Sequence, residues 1–177
     1  MTDAETIQTI ATHAIPVLLA ITTHEAAHGW MAKVLGDPTA WSLGRVTLHP
    51  WPHIDLVGTI AMPLLLYLAT AGSFLFGYAK PVPVDFSRLH HPKRDMVWVA
   101  LAGPLANLLQ ALVWCLALYL LQGLGAEERF FFDMAQAGVL VNLVMFAFNL
   151  FPLPPLDGGR VLVGLLPWRM EIGRAHV

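Results

Sequence analysis

The sequence His24-Glu25-Ala26-Ala27-His28 lies within an apolar segment spanning residues 7–35. Four residues advance an α-helix by about 400°, so His24 and His28 face the same way, one turn apart. Two imidazoles at this spacing can bind one zinc ion, and Glu25 beside them is placed to take a proton from a zinc-activated water. The pattern therefore predicts a metal site of the kind that peptide hydrolysis uses.

The composition predicts a multi-pass membrane protein. Of the 177 residues, 56% are hydrophobic and 12% are charged, about half the usual charged share. Ionisable groups are costly in apolar segments and are usually functional there, which favours the metal site over histidines that are merely hydrogen-bonded in a bundle. The net charge is −2 and no basic patch with interleaved aromatic residues occurs, which argues against nucleic acid as a partner.

Three apolar segments are long enough to cross a membrane as helices: residues 7–35, 96–121 and 134–151. Residues 56–78 are also apolar, but glycines and a proline interrupt them, which predicts a re-entrant element. Residues 43–49 show β-type residues with partial alternation, which predicts a short strand. The predicted fold is therefore all-α, with about three full transmembrane helices, a re-entrant segment and a short β-loop after the metal-binding helix.

His49 and His53 are also four residues apart, which raises the question of a second metal site. Pro50 and Pro52 lie between these positions and argue against a helix, so the spacing does not indicate a shared helix face. A structural or interfacial role is therefore the favoured interpretation for both histidines.

A catalytic zinc takes three protein ligands, so two histidines leave one ligand to be found. Asp157 is the candidate, because the prolines and glycines within residues 152–159 break the helix and let the chain aim a carboxylate at the metal. Two neutral imidazoles, one carboxylate and one hydroxide balance the charge of Zn²⁺, and a neutral cluster costs less to bury. Asn149 could donate a hydrogen bond to a substrate carbonyl or a developing oxyanion. A hydrogen bond between helices is an equally good interpretation of Asn149.

Three motifs in this order resemble the site-2 protease family of intramembrane zinc metalloproteases: His24-Glu25-x-x-His28, Gly103-Pro104-x-x-Asn107 and Asn149-x-x-Pro152-x-Pro154-x-Leu156-Asp157-Gly158-Gly159. Residues 44–50 and 80–84 are similar to a compact, mostly bacterial branch of that family. The resemblance covers residues 10–168. It implies one zinc ion per chain bound by His24, His28 and Asp157, with Glu25 as the base. It also implies a transmembrane or membrane-anchored protein segment as substrate.

The expected function is intramembrane endopeptidase activity in a lipid bilayer. The carbonyls of a transmembrane helix are already hydrogen-bonded, so hydrolysis needs local unwinding, and the strand at residues 43–49 could hold the unwound substrate by edge pairing. The alternative is a non-catalytic relative that binds a metal or a partner. Such a relative is expected to lose the base, and Glu25 is present. The sequence predicts no particular oligomeric state.

Lysine and arginine mark cytoplasmic loops. Residues 80–95 carry four of them, the N-terminus carries none, and residues 127–133 are acidic. We therefore predict an external N-terminus and cytoplasmic residues 36–95, so that residues 56–78 enter and leave on one side. The active site then lies toward the cytoplasmic half of what we expect to be a bacterial plasma membrane.

We expect residues 1–170 to be a single protease domain that is truncated at its C-terminus, because relatives of this kind have a further apolar segment. Residues 171–177 can be encoded by GAG ATC GGA AGA GCA CAC GTC, which resembles a common sequencing-adapter read. The sequence therefore predicts an artefactual tail at these residues.

Overall fold

The computed structural model describes residues 3–70 and 78–166, and every regular element in these two ranges is helical. The α-helices are α1 (Asp3–Val34), α2 (Thr39–Ser42), α3 (Met62–Ala69), α4 (Pro92–Gly123), α5 (Arg129–Asn149) and α6 (Asp157–Leu165). A π-helical turn, Leu56–Ala61, leads into α3, and 3₁₀ turns occupy Trp51–His53 and Phe86–Arg88. The all-α prediction is confirmed for the described residues. The predicted tail, residues 171–177, lies outside them.

Helices α1, α4 and α5 pack against one another, and α6 packs against α4. The buried positions of this bundle hold small residues such as Ala20, Ala111 and Ala135, whereas large apolar side chains such as Leu109 and Leu140 point outward. A soluble bundle would bury its leucines. Small residues at helix contacts with large apolar residues outside are the pattern expected of helices that pack within lipid.

Two helices, α4 with 32 residues and α5 with 21, are long and apolar enough to cross a membrane. They correspond to the predicted spans at residues 96–121 and 134–151. Helix α1 is also 32 residues long. Its ionisable residues interrupt its apolar run, and its membrane crossing stays a prediction.

The two ends of the predicted re-entrant segment lie side by side. The Tyr78 N–H donates to the Gly58 carbonyl at 3.0 Å, and the Thr59 hydroxyl donates to the Tyr78 carbonyl at 2.9 Å. Residues 71–77 of the segment lie outside the described ranges. A chain that enters and leaves a membrane on one side needs neighbouring ends of this kind, while re-entry itself stays a prediction.

The predicted strand at residues 43–49 is wrong. These residues form turns and bends, and neither described range contains a strand. The physical reason is that a strand needs a partner ladder, and the polar groups here bond locally instead. The Arg45 N–H donates to the Ala40 carbonyl, and the His49 N–H donates to the Thr47 hydroxyl. Without a ladder, this segment has no strand edge on which to hold a substrate.

Helix α1 ends in a Schellman motif that sets the direction of the next loop. Gly36 has a φ of +116°, the Asp37 N–H donates to the Ala32 carbonyl, and the Gly36 N–H donates to the Lys33 carbonyl. The buried Asp37 carboxylate then accepts from the backbone N–H of Asp85 at 2.7 Å. The loop after α1 is thereby tied to the chain that precedes α4.

Candidate metal centre

Three ligand-type atoms meet at one buried point between α1 and the start of α6. The Nε2 atoms of His24 and His28 lie 3.0 Å apart, and each lies 3.2 Å from Asp157 Oδ2. The three residues are at most 7% exposed. The structure therefore brings together the three residues that the sequence predicted as ligands.

The hydrogen bond at Nδ1 of each imidazole determines whether Nε2 carries a hydrogen or a lone pair. His24 Nδ1 lies 2.7 Å from Asn107 Oδ1, and His28 Nδ1 lies 2.7 Å from the Val99 carbonyl. Both acceptors require an N–H on Nδ1, so the two neutral rings turn lone pairs from Nε2 toward each other. A hydrogen bond from the second ring nitrogen to a fixed oxygen is the usual way in which metal-binding imidazoles are oriented.

The two Nε2 lone pairs and the Asp157 carboxylate oxygen are all hydrogen-bond acceptors, so none of them can donate a hydrogen bond to another. Protonation of both rings would place two N–H groups face to face at 3.0 Å, so an ion pair with Asp157 does not resolve the contact. Asp157 Oδ2 is buried and accepts no hydrogen bond from the described part of the chain. A cation among the three atoms satisfies all of them, and this group could bind a metal.

Zinc fits this donor set. Its bonds to histidine nitrogen and carboxylate oxygen are about 2.0–2.2 Å long, so a tetrahedral site separates its ligand atoms by roughly 3.3–3.5 Å. The separations of 3.0–3.2 Å differ from those values by a few tenths of an ångström. Three protein ligands also leave one tetrahedral position for a water or a substrate, as in catalytic zinc sites.

Two buried asparagines, Asn107 and Asn142, form a chain of hydrogen bonds, here called the asparagine relay, that orients His24. The Asn107 amide donates to Asn142 Oδ1 at 2.9 Å and to the Ala20 carbonyl at 3.1 Å, and the Asn142 amide donates to the Gly138 carbonyl at 2.8 Å. Both asparagines are fully buried. The sequence predicts Asn107 only as a motif residue and does not show this role. An amide inside an apolar span was the signal, but its partner lies on another helix.

Gly103 on α4 lies directly against the metal group. A Cβ atom at this position would lie 2.4 Å from His28 Nε2 and 2.7 Å from His24 Cε1. No side chain of any size fits there without moving an imidazole. The glycine therefore lets the α4 backbone form one wall of the site.

The chain reaches Asp157 by a different route from the one that the sequence predicted. Residues 150–156 make the break after α5, but Gly158 and Gly159 belong to the first turn of α6 and do not break it. A Cβ at Gly158 would lie 2.2 Å from the Leu150 carbonyl oxygen, and one at Gly159 would lie 2.6 Å from the Pro154 nitrogen. The two glycines make room for the preceding loop to fold over the helix start.

Glu25 and Asn149 line a cavity of about 140 Å³ together with the three ligand-type residues. Glu25 Oε2 accepts the backbone N–H of Val82 at 2.7 Å. The Asn149 amide donates to the Met145 carbonyl of its own helix at 3.0 Å, and the described residues show no hydrogen bond from it to another helix.

His49 and His53 do not join the metal group. His49 is exposed, and the buried His53 places Nε2 2.9 Å from the Thr47 carbonyl. This bond is a structural role of the kind predicted for His53, and it braces the turns that replace the predicted strand.

These observations define a class of protein: an all-helical chain with apolar helices long enough for a membrane and a buried His-His-Asp group that could hold a metal. Curated relatives identify the family. The chain is 38% identical over 158 residues to the Bacillus subtilis protein named "Putative zinc metalloprotease YwhC". The aligned region covers 86% of this chain and 68% of that protein. The chain belongs to the site-2 protease family.

Two more distant relatives carry the name "Putative zinc metalloprotease Rip2". The Mycobacterium tuberculosis protein is 31% identical over 149 residues, and the Mycolicibacterium smegmatis protein is 29% identical over 150 residues. Each match covers 80% of this chain and 52% of the relative, so the chain spans about half the length of the Rip2 proteins. No family model matches the chain, and no solved structure matches it.

Proposed function

We propose that this chain is an intramembrane zinc endopeptidase that hydrolyses a peptide bond in transmembrane or membrane-anchored protein segments. The observation that carries the proposal is the buried triangle of His24, His28 and Asp157, whose donor atoms need a cation, with Glu25 in the same cavity. The names of the relatives as zinc metalloproteases support the choice of metal and of reaction.

Each residue of the cavity has a separate task. His24, His28 and Asp157 would hold one zinc ion per chain. When bound, zinc supplies a Lewis acid that lowers the pKa of water and polarises a carbonyl. Glu25 takes a proton from the attacking water and delivers it to the leaving amine. Asn149 donates a hydrogen bond to the substrate carbonyl as negative charge develops there, through the amide N–H that is not bonded to the Met145 carbonyl.

The size of the cavity sets the form of the substrate. A helix with its side chains is about 10–12 Å wide, and a cavity of about 140 Å³ has no room for one. A helical carbonyl is also engaged in its own hydrogen bond and resists attack. The substrate therefore enters as a locally unwound segment.

The proposed membrane arrangement has three spans and one domain, residues 1–170. Helices α1, α4 and α5 cross the bilayer, and residues 56–78 enter and leave on the cytoplasmic side of a bacterial plasma membrane. The adjacent positions of Gly58 and Tyr78 and the basic residues of the loop before α4 support this arrangement. The cavity then lies toward the cytoplasmic half of the membrane.

A Glu25→Gln variant tests the proposed function. The amide keeps the shape of the side chain but cannot act as a base, so the purified variant should retain about one zinc per chain. Cleavage should fall at least roughly 10²-fold, as expected for a lost general base. Candidate substrates come from comparing membrane-protein fragments in cells that express the wild-type chain or the variant. Equal fragment profiles with zinc bound to both proteins would favour the non-catalytic alternative.

A further inference from the structure

The segment 80–85 crosses helix α1 beside the metal group, and three contacts pin it to earlier parts of the chain. It is neither helix nor strand. The contacts are Arg45 Nη2 to the Lys80 carbonyl at 3.0 Å, the Val82 N–H to Glu25 Oε2 at 2.7 Å, and the Asp85 N–H to Asp37 Oδ2 at 2.7 Å. The middle contact falls on the residue proposed as the catalytic base.

The sequence Pro81-Val82-Pro83 leaves a single amide hydrogen at this point, because proline has no N–H. A residue that precedes a proline is steered toward an extended backbone, which limits the directions in which the Val82 amide can point. The Val82 side chain is 9% exposed and lies over Gly29, whose added Cβ would be 3.0 Å from Val82 Cγ1. Gly29 is one helical turn after Glu25, so this packing holds the Val82 backbone directly over the carboxylate.

We propose that the backbone amide of Val82 is a positioning group for the Glu25 carboxylate. A hydrogen bond from a fixed N–H to a charged oxygen is short and strong, and it selects one rotamer of a flexible side chain. Within residues 3–70 and 78–166, Val82 is the one donor to this carboxylate. With Oε2 held by Val82, Oε1 is free to take the proton. This inference rests on the proposed function of Glu25 as the base.

Hydrogen exchange measures the contact without any assay of cleavage. The Val82 amide is the one exchangeable backbone position among residues 81–83, so its signal can be resolved. In a Glu25→Ala variant its exchange should become at least about tenfold faster, since the loss of a hydrogen bond to a charged group exposes the amide. The Lys80 N–H, bonded to the His53 carbonyl, and the Asp85 N–H, bonded to Asp37, are internal references that should not change. An unchanged rate at Val82 would overturn the proposal.

Kinetics then tests what the contact does. Val82→Pro removes the N–H and also replaces the isopropyl group, whereas Val82→Ala loses the isopropyl group and keeps the N–H, so the two variants differ chiefly in the hydrogen bond. The proline variant should lose roughly 10- to 100-fold in kcat, the range of a hydrogen bond to a charged group, with KM and zinc content unchanged. The alanine variant should stay within about threefold of wild type, because it retains that bond. Equal losses in both variants would show that packing, not the amide, matters.

A double variant separates this inference from the proposed function. If the Val82 amide acts through Glu25, then adding Val82→Pro to Glu25→Gln should cause no further loss of the residual rate. A further loss would mean that the segment supports the fold and would overturn the inference. If Glu25→Gln alone leaves cleavage intact, the proposed function fails. If Glu25→Gln abolishes cleavage while Val82→Pro leaves it intact, only the role of Val82 fails.

Discussion

Asp157 Oδ2 lies 3.2 Å from the Nε2 atoms of two imidazoles whose Nδ1–H groups point away, toward Asn107 and the Val99 carbonyl. At the scale of single residues, the site is defined by three acceptor atoms that have no hydrogen-bond donor among them. Each is buried, and none of the three can donate to another. A cation is the species that removes the cost of burying them together.

Asp157→Ala should lower zinc content and cleavage together, unlike Glu25→Gln. Removing the carboxylate takes away one ligand and leaves the charge of the metal uncompensated in a buried site, so the metal binds less tightly. His24→Ala and His28→Ala should behave in the same way. Metal analysis of the purified variants checks this prediction. If Asp157→Ala keeps both its zinc and its activity, the third ligand lies elsewhere in the chain.

Asn107→Leu should weaken zinc binding by roughly 10- to 100-fold, the usual cost of removing a partner that orients a metal-binding histidine. Leucine has a similar size, so the main change is the loss of the hydrogen bonds of Asn107, including the one that orients His24. Competition with a chromogenic chelator measures the affinity. Gln110→Leu on the same helix is the matched control, because Gln110 Oε1 accepts no hydrogen bond from the described residues. Equal affinities in the two variants would show that the relay does not act on the metal.

At the scale of elements, α4 is the helix on which the site is assembled. It contacts α1, α5 and α6. Its Asn107 and Val99 orient the two histidines, and its Gly103 forms a wall of the site. Movement of α4 relative to α1 would therefore disturb the hydrogen bonds of both imidazoles at once.

Gly103→Ala and Gly123→Ala form a matched pair on this helix. Alanine is favoured over glycine within a helix by about 1 kcal/mol, so local propensity predicts that both changes stabilise α4. The new Cβ at residue 103 would lie 2.4 Å from His28 Nε2, whereas the one at residue 123 would meet nothing within 4 Å. Gly103→Ala should therefore lose zinc and activity, and Gly123→Ala should keep both. Metal analysis and thermal unfolding check the pair, and full zinc occupancy in Gly103→Ala would refute the close packing.

At the scale of the whole molecule, the depth of the site depends on the side of the membrane to which each loop belongs. Helix α1 must bring His24 and His28 to the same depth that Asp157 reaches after α5. His24 bonds to Asn107 and His28 bonds to the earlier Val99, so α4 runs antiparallel to α1. Helix α5 follows α4 after a short connection and packs against it, so α5 runs in the same direction as α1. The loop before α4 and the loop after it then lie on opposite sides of any membrane that α4 crosses.

Thiol labelling in intact cells tests this topology. In a Cys115→Ala background, a cysteine at Ser87 should resist an impermeant reagent, and a cysteine at Glu127 should react. Both native side chains are exposed, so access to the reagent depends on the side of the membrane. Lysed cells should label at both positions. Ready labelling at residue 87 in intact cells would mean that residues 56–78 cross the membrane completely, and the re-entrant arrangement would be wrong.

Local sequence determined the long helices and the two histidines of the site. Apolar runs of sufficient length predicted α1, α4 and α5. A helix can be predicted from one continuous segment because its backbone hydrogen bonds join residues only four apart. The same spacing puts His24 and His28 on one face without help from any other element. Asp157 followed from the chemistry of the donor set, since two histidines alone do not complete a catalytic zinc site.

Contacts between distant parts of the chain decided the rest. Residues 43–49 have the residue types of a strand but form turns, because their polar groups bond locally and complete no ladder within the described residues. His24 meets Asn107 across 83 positions of sequence, and Glu25 meets the Val82 amide across 57. No periodicity records such pairs, because each depends on how whole helices pack. The sequence therefore predicts His24, His28 and Asp157 as ligands and Glu25 as the base, whereas only the packing of the helices shows which groups orient these side chains.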